Sequence, residues 1–459
     1  MSDLVILICL LIALVGIELA RPLFKSIRDV TGILLFPFLA FLLLVIGLYV
    51  FGFRPELIPL GIYIIFVFLS RIPKLIGILQ RIRFDDDRKA SPVVLVLEFL
   101  LLSLTGLIAL KYTPSQEYLL GRHDLTEYET ATMRADDGMY EYFIRTYEGA
   151  SQGSRGTIVI IPPVSGSVEV IDSVCSLLYS QGFSVITFSQ PGLDLPAYDI
   201  LNKSIYPSLK KTMVYMLSFV AGLQFKIPNE LGRAVEQERL RAIEYVVSHK
   251  QYSGPLYLVG YGAGGSAAIT YVTQHLDSPV KGIVNIEGPL FSALEFSEYD
   301  TTVTGIQGFF QRIKPRILKQ IGEVPVLNKP LLILVSDTVK DMKQRDSRYA
   351  TLVRVMHQAQ SPAVLAALTG AGPLDYSDIP VQYPLYSVLM GGKGNKVRNP
   401  AYYTESTAAL IYNFICSIEK LQEDYLDVSD CTPIPVSGDV YFEYNRLLDE
   451  NDIKEVLGK

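Results

Sequence analysis

Leu256-Tyr257-Leu258-Val259-Gly260-Tyr261-Gly262-Ala263-Gly264-Gly265-Ser266-Ala267-Ala268 is the stretch from which the fold is read. A short apolar run, a glycine-rich turn and a small-residue helix start follow one another without a gap. An unbroken apolar run of this length predicts a strand buried on both faces. Glycine supplies the backbone freedom that a tight strand-to-helix turn needs. Working outward, Val235–Ser248 has amphipathic helical spacing and leads into this strand. Upstream, Asp136-Asp137-Gly138 reads as a turn before an aromatic strand, Met139–Glu148, and Thr157–Ile161 is a β-branched run. Val170–Ser180 has helical spacing, Gly182 caps it, and Phe183–Phe188 is the next strand. Downstream, Val280–Ile286 and Pro330–Val335 repeat the apolar pattern, Leu385–Met390 reads as the last strand, and Ala401–Glu419 as the closing helix. Strands alternating with helices predict an α/β fold, a mostly parallel sheet with helices on both faces. Reactive groups in such folds sit at the carboxyl ends of strands. The loops to inspect therefore follow Ile161, Val259, Ile286, Val335 and Met390.

With these elements in order, residues 125–420 resemble an α/β-hydrolase. The strand ending Asn285-Ile286-Glu287-Gly288-Pro289 is similar to the dienelactone-hydrolase and platelet-activating-factor acetylhydrolase group. That group's bacterial relatives can carry several N-terminal membrane spans. The resemblance implies a Gly-x-Ser-x-Gly elbow whose serine is the nucleophile. Here the elbow is Gly260-Tyr261-Gly262-Ala263-Gly264, so Gly262 takes the nucleophile's place. The acid position falls on Glu287, or on Asp337 after the next strand. The loop Pro163-Val164-Ser165-Gly166-Ser167 occupies the oxyanion-loop place, where Val164, Ser165 and Gly166, with Tyr261 and Ala263, would line a pocket. The family base would follow the last strand, at Gly394 or Asn395, and no histidine is there. His123, His249, His275 and His357 are the chain's histidines, and they read as surface or helix-end residues. A Ser–His–acid mechanism needs both a nucleophile and a base. The resemblance thus implies a hydrolase fold with a degenerate triad. Ser266, His357 and Lys393 are the candidates to stand in for the missing groups, with Ser165 and Ser189 as further serines.

The first 112 residues read differently. Crossing the hydrocarbon core takes about 20 apolar residues. Leu4–Ala20, Thr31–Phe51, Leu57–Leu69 with its continuation, and Pro92–Leu110 meet or approach this, so four transmembrane helices are expected. The third is the weakest, because Arg71, Pro73 and Lys74 crowd its end. The first connection carries Arg21, Lys25 and Arg28, and the third carries Arg71, Lys74, Arg81, Arg83, Arg88 and Lys89. Basic connections stay in the cytoplasm. The expectation is therefore an inner-membrane protein with N-terminus and C-terminal domain both outside. Met1-Ser2-Asp3 has no basic n-region, so a cleaved signal peptide is not expected. Glu98, deep in the fourth span, is a candidate membrane site.

The domains expected are a membrane anchor over 1–112, a hydrolase-like domain over 113–427 with a cap insertion at about 198–232, and a C-terminal extension over 428–459. The cap contains Tyr206–Phe225, whose apolar core packs on its own domain or touches lipid. A net charge of −6 without a large basic cluster excludes nucleic acid as a partner. No Cys/His spacing suggests a metal, and no cofactor is expected. Cys416 and Cys431 are either a disulfide, if the domain is exported, or two reduced core cysteines, and the second reading is favoured. Three functions remain open. One is a silent domain that holds an apolar ligand or a protein partner beside membrane lipid. Another is an ester hydrolase using non-standard residues. The third is a membrane-embedded role around Glu98.

Overall fold

The computed structural model describes residues 3–28, 30–51, 55–80, 91–113, 126–135, 138–147, 155–163, 168–189, 229–250, 252, 254–290, 294–296, 318–320, 324–337, 347–382, 384–389, 401–421, 432–437 and 439–458. They divide into two compact units, one built on Met1–Ser115 and one on the chain that follows.

The first unit consists of α1 (Asp3–Ala20), a single turn α2 (Lys25–Arg28), α3 (Phe36–Phe51), α4 (Ile58–Leu79) and α5 (Pro92–Lys111). α3 and α5 each pack against both α1 and α4, which closes the four long helices into a ring. Ile8, Leu11, Val15, Leu44, Leu60 and Ile64 fill its centre. Two glycines let backbones approach: a Cβ at Gly47 would lie 2.4 Å from Leu7 Cδ2, and one at Gly106 2.7 Å from Ile12 Cδ1. Small residues at helix contacts are how helices pack when lipid, rather than water, surrounds them. The outer faces are apolar too, with Val93, Leu97, Leu100, Leu104 and Leu107 exposed along α5. A helix apolar all round belongs in a core or a bilayer. The Arg71 guanidinium reaches from α4 across the ring to buried Glu18 of α1, with Nε 2.9 Å from Oε1 and Nη2 donating to Oε2 at 3.1 Å.

Three segments are long and apolar enough to cross a membrane: Asp3–Leu23, Ile58–Gly77 and Pro92–Lys111. Of the three, Ile58–Gly77 has the lowest mean hydropathy, 1.7 against 2.7 and 2.6. α4 continues through Pro73 for 22 residues. The second stretch falls short, with an apolar helix over Gly32–Leu48 only.

The second unit is α/β. Its strands are β1 (Thr126–Ala135), β2 (Gly138–Tyr147), β3 (Thr157–Ile161), β4 (Ser184–Ser189), β5 (Leu256–Tyr261), β6 (Val280–Ile286), β7 (Leu294–Phe296), β8 (Leu318–Gln320), β9 (Leu331–Leu334), β10 (Ala363–Leu368) and β11 (Val440–Tyr444). Nine of them form one sheet in the order β1-β2-β4-β3-β5-β6-β9-β10-β11, and β7 pairs with β8 apart from it. β4, β3, β5, β6, β9 and β10 are mutually parallel, β2 and β11 pair antiparallel with the two ends of that block, and β1 pairs antiparallel with β2 at the edge. The helices are α6 (Asp172–Ser180), α7 (Asn229–His249), α8 (Ala263–Gln274), α9 (Ser347–Gln358), α10 (Ile379–Gln382), α11 (Pro384–Leu389), α12 (Tyr402–Leu421) and α13 (Glu450–Leu457). Alternate strand residues face opposite ways. Leu256, Leu258, Ile283, Ile333 and Leu365 join one core with α7, α8 and α9. On the other face Tyr257 and Gly282 meet Ile418 of α12, which also packs on α6.

Two expectations are corrected. Leu385–Met390 is not the last strand, since Pro384–Leu389 is a short helix begun by proline. The last parallel strand is Ala363–Leu368, whose alanines hid it because alanine favours helix in isolation. Cys416 is disulfide-bonded rather than reduced, and its partner lies outside the described residues. The C-terminal extension folds back. β11 pairs with β10, α13 packs on α12, and Asn413 grips the Ile434 backbone, its Nδ2 donating to the carbonyl at 2.8 Å and its Oδ1 accepting the amide at 2.7 Å.

Candidate functional site

The carboxyl ends of β5, β6, β9 and β10 converge on one edge of the sheet. Between β5 and α8 the chain turns at Gly262, with φ +57° and ψ −123°. L-residues adopt that conformation only under strain. The neighbouring glycines have a different reason. A Cβ at Gly260 would lie 2.2 Å from Gly264 O, and one at Gly264 2.5 Å from Ile161 O, so strand and helix backbones touch there. Among the described residues a Cβ at Gly262 would meet only Pro163, with Cβ at 3.5 Å and Cα at 3.8 Å, both ordinary contacts. Among those residues, space for a side chain therefore remains at the turn. The turn is pinned from β6, where the Gly262 amide donates to Ile286 O at 2.7 Å.

β6 ends in a second strained position. Glu287 has φ +55°, the one non-glycine residue with positive φ among the described residues. Its amide donates to Leu334 O at 2.8 Å. Its carboxylate accepts the Ser336 amide and, at 3.3 Å, the Tyr349 hydroxyl. The Tyr349 and Ser336 hydroxyls are 2.5 Å apart. The turn beyond is locked by Asn285, whose Oδ1 accepts the Gly288 amide at 2.8 Å while Nδ2 donates to Gly288 O at 3.0 Å. A Cβ at Gly288 would lie 2.6 Å from Gly262 O, which sets this turn directly against the elbow.

Asp337, just past β9, holds backbone. Its Oδ2 accepts the Gly370 amide and its own amide donates to Ala371 O, both at 2.9 Å. Gly370 and Ala371 belong to the loop after β10, the last parallel strand. A family histidine would sit in that loop, Thr369–Asp378, and none is present. Tyr261 reaches the same loop, donating to Pro373 O at 2.5 Å. Tyr376 lies within it, fully buried, and donates to Val335 O. Burial first, and the Glu287 carboxylate second, push the Tyr376 hydroxyl well above its ordinary pKa. Behind the elbow, the wholly buried Arg239 of α7 donates from Nη2 to Pro163 O at 2.9 Å. It thus anchors the chain where the expected oxyanion loop begins. Sequence patterning missed this residue, although an arginine on the apolar face of Val235–Ser248 was its signal.

The structure brings Gly262, Glu287 and Asp337 to the same edge, with Tyr261 and Ala263 flanking the turn. Val164, Ser165, Gly166, Lys393, Gly394, Asn395 and the cap over Tyr206–Phe225 lie outside the described residues. The base place moves, because the loop after the last parallel strand is 369–378 and not 391–395. Ser266 is wholly buried within α8, and its hydroxyl has no hydrogen-bond partner among the described residues. Ser189 is buried at the end of β4. His357 is exposed in the last turn of α9, about 12 Å along the helix from Tyr349. His249 stacks on Tyr245 and His275 on Tyr271, both on exposed helix ends. Among the described residues no group of His, Cys, Asp and Glu could hold a metal ion.

Residues 2–111 match the family TP_0976_N, described as an N-terminal domain. No curated protein matches the sequence. Solved structures similar to the chain include a ferulic acid esterase from Streptomyces cinnamoneus, 14% identical, covering 71% of this chain and 98% of its own, with a TM-score of 0.45. A dienelactone hydrolase from Anabaena variabilis is 13% identical, covering 58% and 96%, with a TM-score of 0.32. The thioesterase domain from the curacin biosynthetic pathway is 13% identical, covering 57% and 99%, also at 0.32.

Proposed function

We propose that this chain is a membrane-anchored pseudohydrolase whose globular unit binds an apolar ligand or a protein partner outside the cytoplasmic membrane. One observation carries the reading: Gly262 keeps a strained elbow conformation, with room for a side chain among the described residues, and bears none. The loop after β10 supports it, because Asp337 accepts the Gly370 amide there and residues 369–378 include no histidine. Without a nucleophile and the base to activate it, a Ser–His–acid mechanism loses several orders of magnitude in rate. The location draws support from the basic first and third connections and from the bonded Cys416, since disulfides persist in oxidising compartments. Four crossings place both ends of the chain on that side. The short second segment suffices if its 3₁₀ turn, Thr31–Leu35, is counted with α3, because the two rise about 34 Å together.

A second reading is an ester hydrolase with non-standard residues, and the strained Glu287 with its Tyr349–Ser336 chain speaks for it. Fluorophosphonate labelling of the full chain, with peptide mass spectrometry and an ester assay, separates the two. The expected result is no labelled serine and no turnover in the wild type, and at most slow labelling without turnover in Gly262→Ser. A labelled serine whose replacement abolishes turnover would overturn the silent-domain reading.

A further inference from the structure

The segment Thr369–Asp378 crosses the carboxyl edge of the sheet and is tied down along its length. Asp337 accepts the Gly370 amide at 2.9 Å, Tyr261 donates to Pro373 O at 2.5 Å, and Tyr376 donates to Val335 O. Thr404 of α12 donates to Ser377 O at 3.3 Å. The last tie reaches a different part of the unit. The Asp378 amide donates to Val170 O at 2.7 Å, and the Asp378 carboxylate accepts the Ser173 amide at 2.8 Å. Ser173 lies in the first turn of α6, whose own N-cap residue, Ile171, offers no side-chain acceptor. Asp378 therefore caps α6 from a distant loop, joining the segment over the elbow to the segment that follows the expected oxyanion loop.

We propose that Thr369–Asp378 is a pH-sensitive strap over the elbow, latched by Asp378 at the N-terminus of α6 and loosened as that carboxyl loses its proton. The proposal stands whether or not the edge binds a ligand. Asp378 is fully buried, and among the described residues the cation in its cluster, Arg145, is paired with Asp172. From α6 it meets Asp172 and Cys175, and from β2 Arg145 and Tyr147 stand in the same cluster. Arg145 is committed to Asp172, 2.8 Å from its Oδ1, and Tyr147 donates to the same carboxylate. Within the strap Asp375 accepts the Gly372 amide at 2.7 Å, Tyr376 is turned to Val335, and Tyr403 of α12 donates to Thr369 O at 3.3 Å. Burial raises the Asp378 pKa to about 7, the Ser173 hydrogen bonds oppose the rise, and the Asp172 charge adds to it. A latch that opens exposes this carboxyl to water, where it titrates near 4. The closed state thus holds the proton more tightly. Its advantage is full below about pH 4 and is lost as pH rises to about 7.

Amide hydrogen exchange on the full chain in lipid nanodiscs tests this. Protection factors at Ser173 and Asp378, corrected for intrinsic exchange, should fall roughly tenfold or more between pH 5 and pH 7. Asp378→Asn keeps an acceptor for Ser173 without a titrating proton, and its protection should stay flat over that range. Asp378→Ser serves the same purpose if the asparagine variant does not fold. Flat protection in the wild type, or the same decline in the folded non-titrating variant, would overturn the proposal.

Discussion

The elbow glycines answer to two different forces, and substitution separates them. A methyl group at Gly262 has space, so Gly262→Ala should cost only the backbone strain at φ +57°, ψ −123°, about 1–3 kcal/mol. A methyl at Gly264 would meet the Ile161 carbonyl at 2.5 Å, backbone against backbone. Gly264→Ala should therefore cost more, because neither partner can rotate away. Chemical denaturation of the two variants gives the order, and equal losses would mean that the end of β3 and the start of α8 are not in contact at this turn. The vacancy at Gly262 was legible directly, since a five-residue glycine motif fixes its own register. Glu287 was legible as an acid at a strand end. Its left-handed backbone and its bond to the Ser336 amide were not, because both depend on β9 lying beside β6. Asp378 and Arg239 escaped for a related reason: each bonds to backbone far away in sequence, and no local pattern records such a partner.

At the scale of elements, patterning succeeded where burial was uniform and failed where two periods fit the same letters. Thr157–Ile161 is β-branched throughout, Leu256–Tyr261 is apolar or aromatic but for Gly260, and Val280–Ile286 is mostly apolar with Lys281 and Asn285 as its polar residues; each is a buried strand. Pro384–Leu389 and Ala363–Leu368 are short apolar runs in which periodicity cannot separate strand from helix. Reading one for the other moved the expected base by about 25 residues in sequence. The C-terminal extension shows the opposite case, a segment with weak propensity held by specific contacts. Asn413, buried in α12, supplies both a donor and an acceptor to Ile434. Asn413→Ala removes both bonds and leaves two backbone groups without their partner, so the cost should be about 1–3 kcal/mol. Asn413→Asp keeps only the acceptor and should lie between. Proteolysis should then cut the chain between Cys431 and Val440 faster in the order alanine, aspartate, wild type. Equal rates would mean that β11 and α13 retain the extension without Asn413.

The whole molecule turns on the parity of its crossings. An even number returns the chain to the side where it began, and an odd number puts the globular unit opposite the N-terminus. Three segments are long and apolar enough to cross, whereas the segment Gly32–Leu48 is short by itself. Its physical reach depends on Thr31–Leu35, where the 3₁₀ rise of about 2 Å per residue extends the α-helix that follows. The ring packing also bears on parity, since α3 contacts both α1 and α4, the two helices that the Glu18–Arg71 pair joins. A segment lying flat at the interface would leave that pair open to hydrocarbon on one side, at a cost of several kcal/mol per ion. Introduced cysteines labelled by a membrane-impermeant maleimide in intact cells decide the matter. With four crossings, Ser2→Cys and Gln116→Cys react from outside, whereas Asp86→Cys reacts only after the membrane is opened. If Ser2→Cys and Gln116→Cys react from opposite sides, one segment does not cross, and the segment over 32–48 is the one to set aside. The bonded Cys416 then serves as the second witness. A globular unit on the cytoplasmic side would meet reduced thiols and should lose that bond. Alkylation before and after reduction should therefore show Cys416 protected only when Gln116→Cys is labelled from outside.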